Sequence, residues 1–313
     1  MTIAFTFPGQ GSQAVGMGKA LADAYPTARH VFDEVDDALG EKLSTLMWEG
    51  PEDRLTLTEN AQPALMAVSL AACRVLEEKG VWLKREAAFV AGHSLGEYSA
   101  LAAAGALTLA DTARLLRIRG RAMQAAVPVG EGAMAALLGL DLAAAREVAT
   151  EAAQGAVCQV ANDNADGQVV VSGTKAAVER AVEIAKTRGA KRAMLLNVSA
   201  PFHCALMQPA ADAMAEALAA VDMRRPVVPL VSNVLAHSIS DPDQIRIRLV
   251  EQVTGTVRWR ESVQYLAHHG VTRLYEIGSG KVLSGLVKRI VTGVEGVPIG
   301  TPADIDCAVV ALV

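Results

Sequence analysis

Gly92-His93-Ser94-Leu95-Gly96 sets a serine between two glycines, after the apolar run Ala87 to Ala91 and before a helix-forming stretch. A G-x-S-x-G pentapeptide in that strand, turn and helix context is a nucleophile elbow, and its chemistry is acyl transfer through an ester on the serine. The turn is sharp enough that side chains in place of the two glycines would strike the neighbouring strand and helix. Held this way, the Ser94 hydroxyl stands at the carboxyl edge of the sheet, at a helix N-terminus whose free amides favour developing negative charge.

A serine hydroxyl needs a base to take its proton. Of six histidines, His30, His268 and His269 read as surface or capping residues and His237 follows a strand. His93 adjoins the nucleophile but points the opposite way along the elbow, which makes it a supporting group. His203, in Asn197-Val198-Ser199-Ala200-Pro201-Phe202-His203, lies where a small inserted domain should return to a larger one, facing the cleft between them. It is the expected base. The N-terminal Phe7-Pro8-Gly9-Gln10-Gly11-Ser12-Gln13 is a strand end followed by a glycine loop, able to aim a backbone amide at the oxyanion of a tetrahedral intermediate. It lacks the lysine of a nucleotide-binding P-loop. Arg119 falls on the stripe of Leu115, Ala122 and Ala126 in a helical pattern, where a guanidinium requires an anionic partner. That partner is either an internal Asp or Glu or a substrate carboxylate gripped by two parallel hydrogen bonds.

The elements that must position these groups follow an α/β rhythm. Strands are expected at Ile3 to Phe7, Ala87 to Ala91, Val227 to Ser232 and Arg273 to Ile277, and helices at Ala64 to Lys79, Leu95 to Ala104, Leu109 to Ala126 and Glu261 to His268. Alternation of this kind predicts a mainly parallel sheet covered by helices. Between them the order changes to β-α-β-β-α-β: Ala133 to Leu140, Leu142 to Ala153, Ala156 to Ala161, Gln168 to Ser172, Lys175 to Arg188 and Arg192 to Val198, with 162–167 as the connecting loop. The expected fold class is therefore α/β, a large α/β-hydrolase-like domain (1–127 and 199–313) with an inserted small ferredoxin-like domain (128–198). A cleft at such a junction is where ligands bind.

Composition removes other classes of function. The 29 basic and 34 acidic residues, net charge -5, form no basic stripe, so nucleic acid is not an expected partner. Cys73, Cys158, Cys204 and Cys307 are scattered, unlike a disulfide scaffold or a metal site, and read as reduced thiols. There is no basic n-region before the apolar N-terminal run and no apolar segment of bilayer length. The expectation is a cytoplasmic, monomeric enzyme that needs no metal or redox cofactor and no membrane.

The motifs taken together resemble the malonyl-CoA:acyl carrier protein transacylases of fatty acid synthesis and, more distantly, the acyltransferase domains of polyketide synthases. The likeness runs from Phe7–Gln13 through Thr58 with Gln62-Pro63-Ala64, Gly92–Tyr98, Arg119-Gly120, Ala161-Asn162 with Gln168-Val169-Val170, Ser199–His203, Ser232-Asn233 and Gln252 to Trp259. The resemblance implies an acyl-serine at Ser94 with His203 as base, an oxyanion hole of the Gln10 and Leu95 amides, and Arg119 on the malonyl carboxylate beside Gln62. His93, Asn162, Phe202 and Gln252 complete the implied substrate site, and a main-chain carbonyl near Gln252 orients the imidazole in place of a carboxylate. The implied partners are malonyl-CoA and acyl carrier protein. Phe202 stands where many free-standing members carry a small residue and is similar to the bulky residue at this place in malonyl-selective polyketide acyltransferases, and Thr256 replaces a frequent proline before Val257-Arg258-Trp259. A serine esterase, a polyketide loading enzyme and a non-catalytic carrier-protein docking module are the rival readings.

Overall fold

Residues 2–312 are described by the computed structural model. The first strand, β1 (Thr2–Phe7), buries five consecutive side chains after Thr2, the pattern of a strand covered on both faces. β2 (Ala87–Gly92) pairs with it in parallel, and Phe7 lies opposite Gly92. The N-terminal loop and the elbow therefore leave the sheet side by side. The further strands are β3 (Gly132–Leu138), β4 (Cys158–Ala165), β5 (Gln168–Thr174), β6 (Arg192–Leu195), β7 (Leu230–Val231), β8 (Ser238–Ile239), β9 (Val271–Ile277) and β10 (Glu295–Ile299). They form a six-stranded sheet, β10-β9-β1-β2-β7-β8, parallel but for the β7–β8 pair, and a separate four-stranded sheet, β4-β5-β3-β6, antiparallel throughout. The α/β class expected from the sequence holds, with one mainly parallel and one antiparallel sheet.

The helix Thr58–Glu78 is buried along nearly its whole length, so it packs on every side, unlike an amphipathic surface helix. Pro63 sits inside it and has no N–H to give to Glu59; the carbonyl of Glu59 instead accepts from Arg117 Nη1 at 2.8 Å. Arg117 belongs to the helix Leu109–Ala125, and the two helices approach closely at Gly120, where a Cβ would lie 2.5 Å from Glu59 Cα. This close crossing is what carries the next-door residue, Arg119, to Gln62.

Three expectations change. The strand foreseen at Val227 to Ser232 shortens to β7, because Pro229 has no donor for a ladder and only Leu230 and Val231 pair with β2. β4 does not stop at Ala161 but continues to Ala165 through two bulges, so Asn162 stands in a strand, not in the loop. β10 went unforeseen because Pro298 and Gly296 interrupt its pattern; it is an edge strand, where proline is tolerated. No described helix is long and apolar enough to cross a membrane.

Candidate active site

The turn after β2 holds Ser94 at φ 54°, a left-handed conformation that costs a non-glycine residue about 1–3 kcal/mol. Its flanking glycines are obligatory: a Cβ on Gly92 would fall 1.9 Å from the carbonyl carbon of Gly96, and one on Gly96 would fall 2.3 Å from the Phe7 oxygen. The His93 amide donates to that same Phe7 oxygen at 3.0 Å. Asn233, two residues after β7, clamps the turn from the other side. Its Oδ1 accepts from the Ser94 amide at 2.8 Å and its Nδ2 donates to the Gly92 carbonyl at 2.7 Å.

His203 arrives on the segment that follows β6, also with positive φ, 58°. The Ser94 Oγ lies 2.8 Å from His203 Nε2, and His203 Nδ1 lies 2.8 Å from the main-chain oxygen of Gln252. A carbonyl can only accept, so Nδ1 carries the proton and Nε2 is left bare to take one from the serine. Burial, reinforced by the positive charge of Arg119, pushes the imidazole down to about 3. It is therefore neutral, and able to act as a base, at physiological pH. No described Asp or Glu touches the ring, and the histidine is oriented by a backbone dipole.

Arg119 is 1% exposed. Its Nη1 donates to Gln62 Oε1 at 2.7 Å and its Nη2 to Gln252 Oε1 at 2.8 Å and Ser94 Oγ at 3.1 Å. No described carboxylate forms an ion pair with it, its Nε has no acceptor, and burial pulls its affinity for the proton down. Of the two partners left open by the sequence, the internal one is not in contact. Gln62 Nε2 in turn donates to Thr58 Oγ1, and Thr58 Oγ1 to Gln10 Oε1, both at 2.9 Å. This relay ties the guanidinium to the N-terminal loop. Among the described residues, the backbone amides of Gln10 and Leu95 donate to no protein acceptor.

These groups line one cavity of about 320 Å³, shared by Gln10, Gln62, His93, Ser94, Leu95, Arg119, Asn162, Phe202 and His203. Its remaining wall is mixed: Met123, Met134, Val170, Leu196 and Val198 are apolar, and Gln13, Thr56, Asn164 and Asn197 add polar groups. A more open depression of about 770 Å³ near Arg146, Arg258 and Arg260 contains no serine, cysteine or histidine. Among the described residues, no group of three or more His, Cys, Asp or Glu is gathered in a way that could hold a metal.

The family model for the acyl transferase domain matches residues 4–297. The chain belongs to the acyl transferase family. Within that family it is 48% identical over 311 residues to the malonyl CoA-acyl carrier protein transacylase of Bacillus subtilis, covering 99% of this chain and 97% of that one. The crystal structure of an acyl-carrier-protein-S-malonyltransferase from Bartonella henselae superposes with a TM-score of 0.98 at 59% identity, over 100% of this chain and 99% of the other. A malonyl-transacylase solved in complex with a holo type II polyketide acyl carrier protein gives 0.96 at 44% identity, over 99% and 100%.

Nearly all site residues expected from the sequence meet in this acyl transferase's cavity, including Asn162 on its bulged strand. Gln252 enters through its main-chain oxygen and its Oε1, not as a cavity wall. His93 is more than a bystander behind the serine: its ring borders the cavity, and its Nε2 lies 2.8 Å from Asn164 Oδ1. Burial lowers its proton affinity. Thr256, at the position of the missing proline, donates through Oγ1 to the Val160 carbonyl at 2.7 Å, so the loop after Gln252 is pinned to β4 by a side chain. His30, His268 and His269 are exposed, as expected, and so is His237. Two polar residues were not given roles from sequence. Asn233 is the elbow clamp; Glu97, 1% exposed, sits in the first turn of the helix that follows Ser94, with burial pushing its carboxyl up to about 8. The signal for both was their place inside the matched motifs, not any spacing rule.

Proposed function

We propose that this chain transfers a malonyl group from malonyl-CoA to the phosphopantetheine thiol of an acyl carrier protein by a ping-pong route, for fatty acid synthesis. Ser94 Oγ attacks the thioester carbonyl while His203 Nε2 takes its proton. The oxyanion faces the amides of Gln10 and Leu95, and the same imidazole returns the proton to the departing CoA thiolate. The carrier thiol then attacks the malonyl-serine and the steps run in reverse. Arg119 receives the free carboxylate with Gln62 and Gln252 alongside, and neutralising the guanidinium relieves the charge that depresses His203, so the base strengthens as the correct acyl group arrives. His93, Asn162 and Phe202 bound the acyl group. The observation that carries this reading is a 2.8 Å serine–imidazole contact directly beside a buried arginine without a carboxylate.

We infer further that residues 128–198 form an inserted ferredoxin-like domain between the halves 1–127 and 199–313 of an α/β-hydrolase-like domain. The strand order β4-β5-β3-β6 and the β-α-β-β-α-β succession support that division. The enzyme is read as a cytoplasmic monomer that uses no metal or redox cofactor, with malonyl-CoA and an acyl carrier protein as its partners. A second reading, loading of a polyketide carrier protein in trans, is favoured by the polyketide complex among the similar structures.

Mixing the protein with malonyl-CoA and a holo carrier protein tests the proposal. The expected result is malonyl-carrier protein formed much faster than free malonate. Hydrolysis in place of thiol transfer identifies an esterase, and no turnover identifies a docking module. Parallel assays with fatty acid and polyketide carrier proteins separate the two transfer readings.

A further inference from the structure

Glu97 makes four parts of the site share one anchor. One carboxyl oxygen, Oε1, accepts from the Asn233 backbone amide at 2.7 Å. The Asn233 side chain is the one that holds both ends of the elbow, the Ser94 amide and the Gly92 carbonyl. The other oxygen, Oε2, accepts from Gln252 Nε2. That same nitrogen donates to the Ser94 carbonyl at 2.9 Å, while the opposite end of the Gln252 amide accepts from Arg119 and its main chain orients His203. We propose that Glu97 is a positioning residue for acyl transfer, setting the Asn233 clamp on the nucleophile and the amide orientation of Gln252 toward Arg119 at once.

Donors and acceptors fix the orientation of the Gln252 amide. Gln252 has a carbonyl oxygen on one end of its side chain and an NH2 on the other, and the two ends are not equivalent to their neighbours. Arg119 can only donate, so the oxygen must face it and the NH2 must face the elbow. Glu97 Oε2 is an acceptor at the NH2 end and fixes this choice. An amide at position 97 can satisfy Asn233 with its oxygen but then turns its own NH2 on that of Gln252. Gln252 would have to rotate, opposing an NH2 to the guanidinium and abandoning the Ser94 carbonyl. Neither Asn233 nor Gln252 is exposed, and Glu97 itself is 1% exposed, so water is not at hand to fill the gap. Burial pushes the carboxyl up to about 8, while the two N–H donors, which address both of its oxygens as acceptors, pull it back toward the ionised form.

The inference rests on the acyl-transfer reading, and its test keeps the two apart. Steady-state transfer by Glu97→Gln should show kcat down on the order of 100-fold, the effect of a misplacement of about 1 Å, at nearly unchanged KM for malonyl-CoA. The acetyl-CoA reaction should fall with it, because the elbow serves both acyl groups. Wild-type kcat in folded Glu97→Gln overturns the inference, since a purely structural role would lower the melting temperature alone. Ser94→Ala is the control: malonyl labelling that survives in it overturns the acyl-serine reading itself. If Glu97→Gln does not fold, Glu97→Asp decides, because it keeps the carboxylate but draws it back by one methylene from the Asn233 amide and Gln252 Nε2. A loss of similar size in kcat supports the inference, and wild-type kcat contradicts it.

Discussion

The wall of the cavity that comes from the parallel sheet and the wall that comes from the antiparallel sheet are built on opposite terms. On the first, Ser94 and His203 are both held at positive φ, Gly92 and Gly96 admit no Cβ, and polar groups are matched donor to acceptor. On the second, Met134 of β3 and Val170 of β5, with Leu196 beyond β6, present apolar surface from regular strands and their ends, and the polar exceptions, Asn162 and Asn164, sit on the bulged part of β4. Arg119 lies between them. Proton transfer and oxyanion stabilisation depend on a few tenths of an ångström, so that wall accepts strain; exclusion of a bulky acyl group depends on volume alone, so this one does not need it. The lesson is that substitutions on the two walls should fail in different ways.

The largest loss should come from Ser94→Ala, at least about 10⁴-fold in transfer rate with the fold retained; residual activity near wild type would make the strained wall ornamental. Arg119→Ala should lose about 10²–10³-fold with malonyl-CoA, the cost of removing one partner of a buried charge pair. Acetyl-CoA, which has no carboxylate, should be used as well as before or better, and equal losses on both substrates would make Arg119 a structural residue. Phe202→Ser, which touches only volume, should change selectivity against methylmalonyl-CoA by about 10-fold, the worth of a methylene-sized gap, and leave malonyl transfer nearly intact. Unchanged selectivity removes Phe202 from the recognition wall.

The smallest effect is one of pH. A free imidazole titrates near 6.5, while burial holds His203 at about 3. Between those values the unfolded chain binds the proton and the folded one does not, so this group's contribution to stability is present above about pH 6.5 and is lost as pH falls toward 3. The rate of Ser94 acylation should accordingly be flat from about pH 7 to pH 5. An acid limb centred near 6.5 would show an imidazole in contact with water.

The chemistry was legible in the sequence because strain leaves a signature: only glycine fits at 92 and 96, and the pentapeptide announces the turn it makes. The large parallel strands were legible for a similar reason, being buried on both faces. β10 was not, since an edge strand can carry Pro298 and Gly296 and still pair with β9. The extent of β4 was hidden by its bulges, which break the period-two alternation at Asn162. Arg119 was visible as a charge on an apolar stripe, but whether a carboxylate of the chain met it was a question of tertiary contact. Asn233 and Glu97 act across 139 and 136 residues of sequence, and no local pattern reports a hydrogen bond made at that separation.

The central claim is a malonyl ester on Ser94 formed with His203 as base. Brief mixing with malonyl-CoA, proteolysis and peptide mass analysis tests it most directly, run on the wild type and on His203→Ala. The account predicts one malonyl group on the peptide containing Ser94 in the wild type, and formation slowed by orders of magnitude in the variant. Malonyl found on another residue, or an acylation rate indifferent to His203, would contradict it.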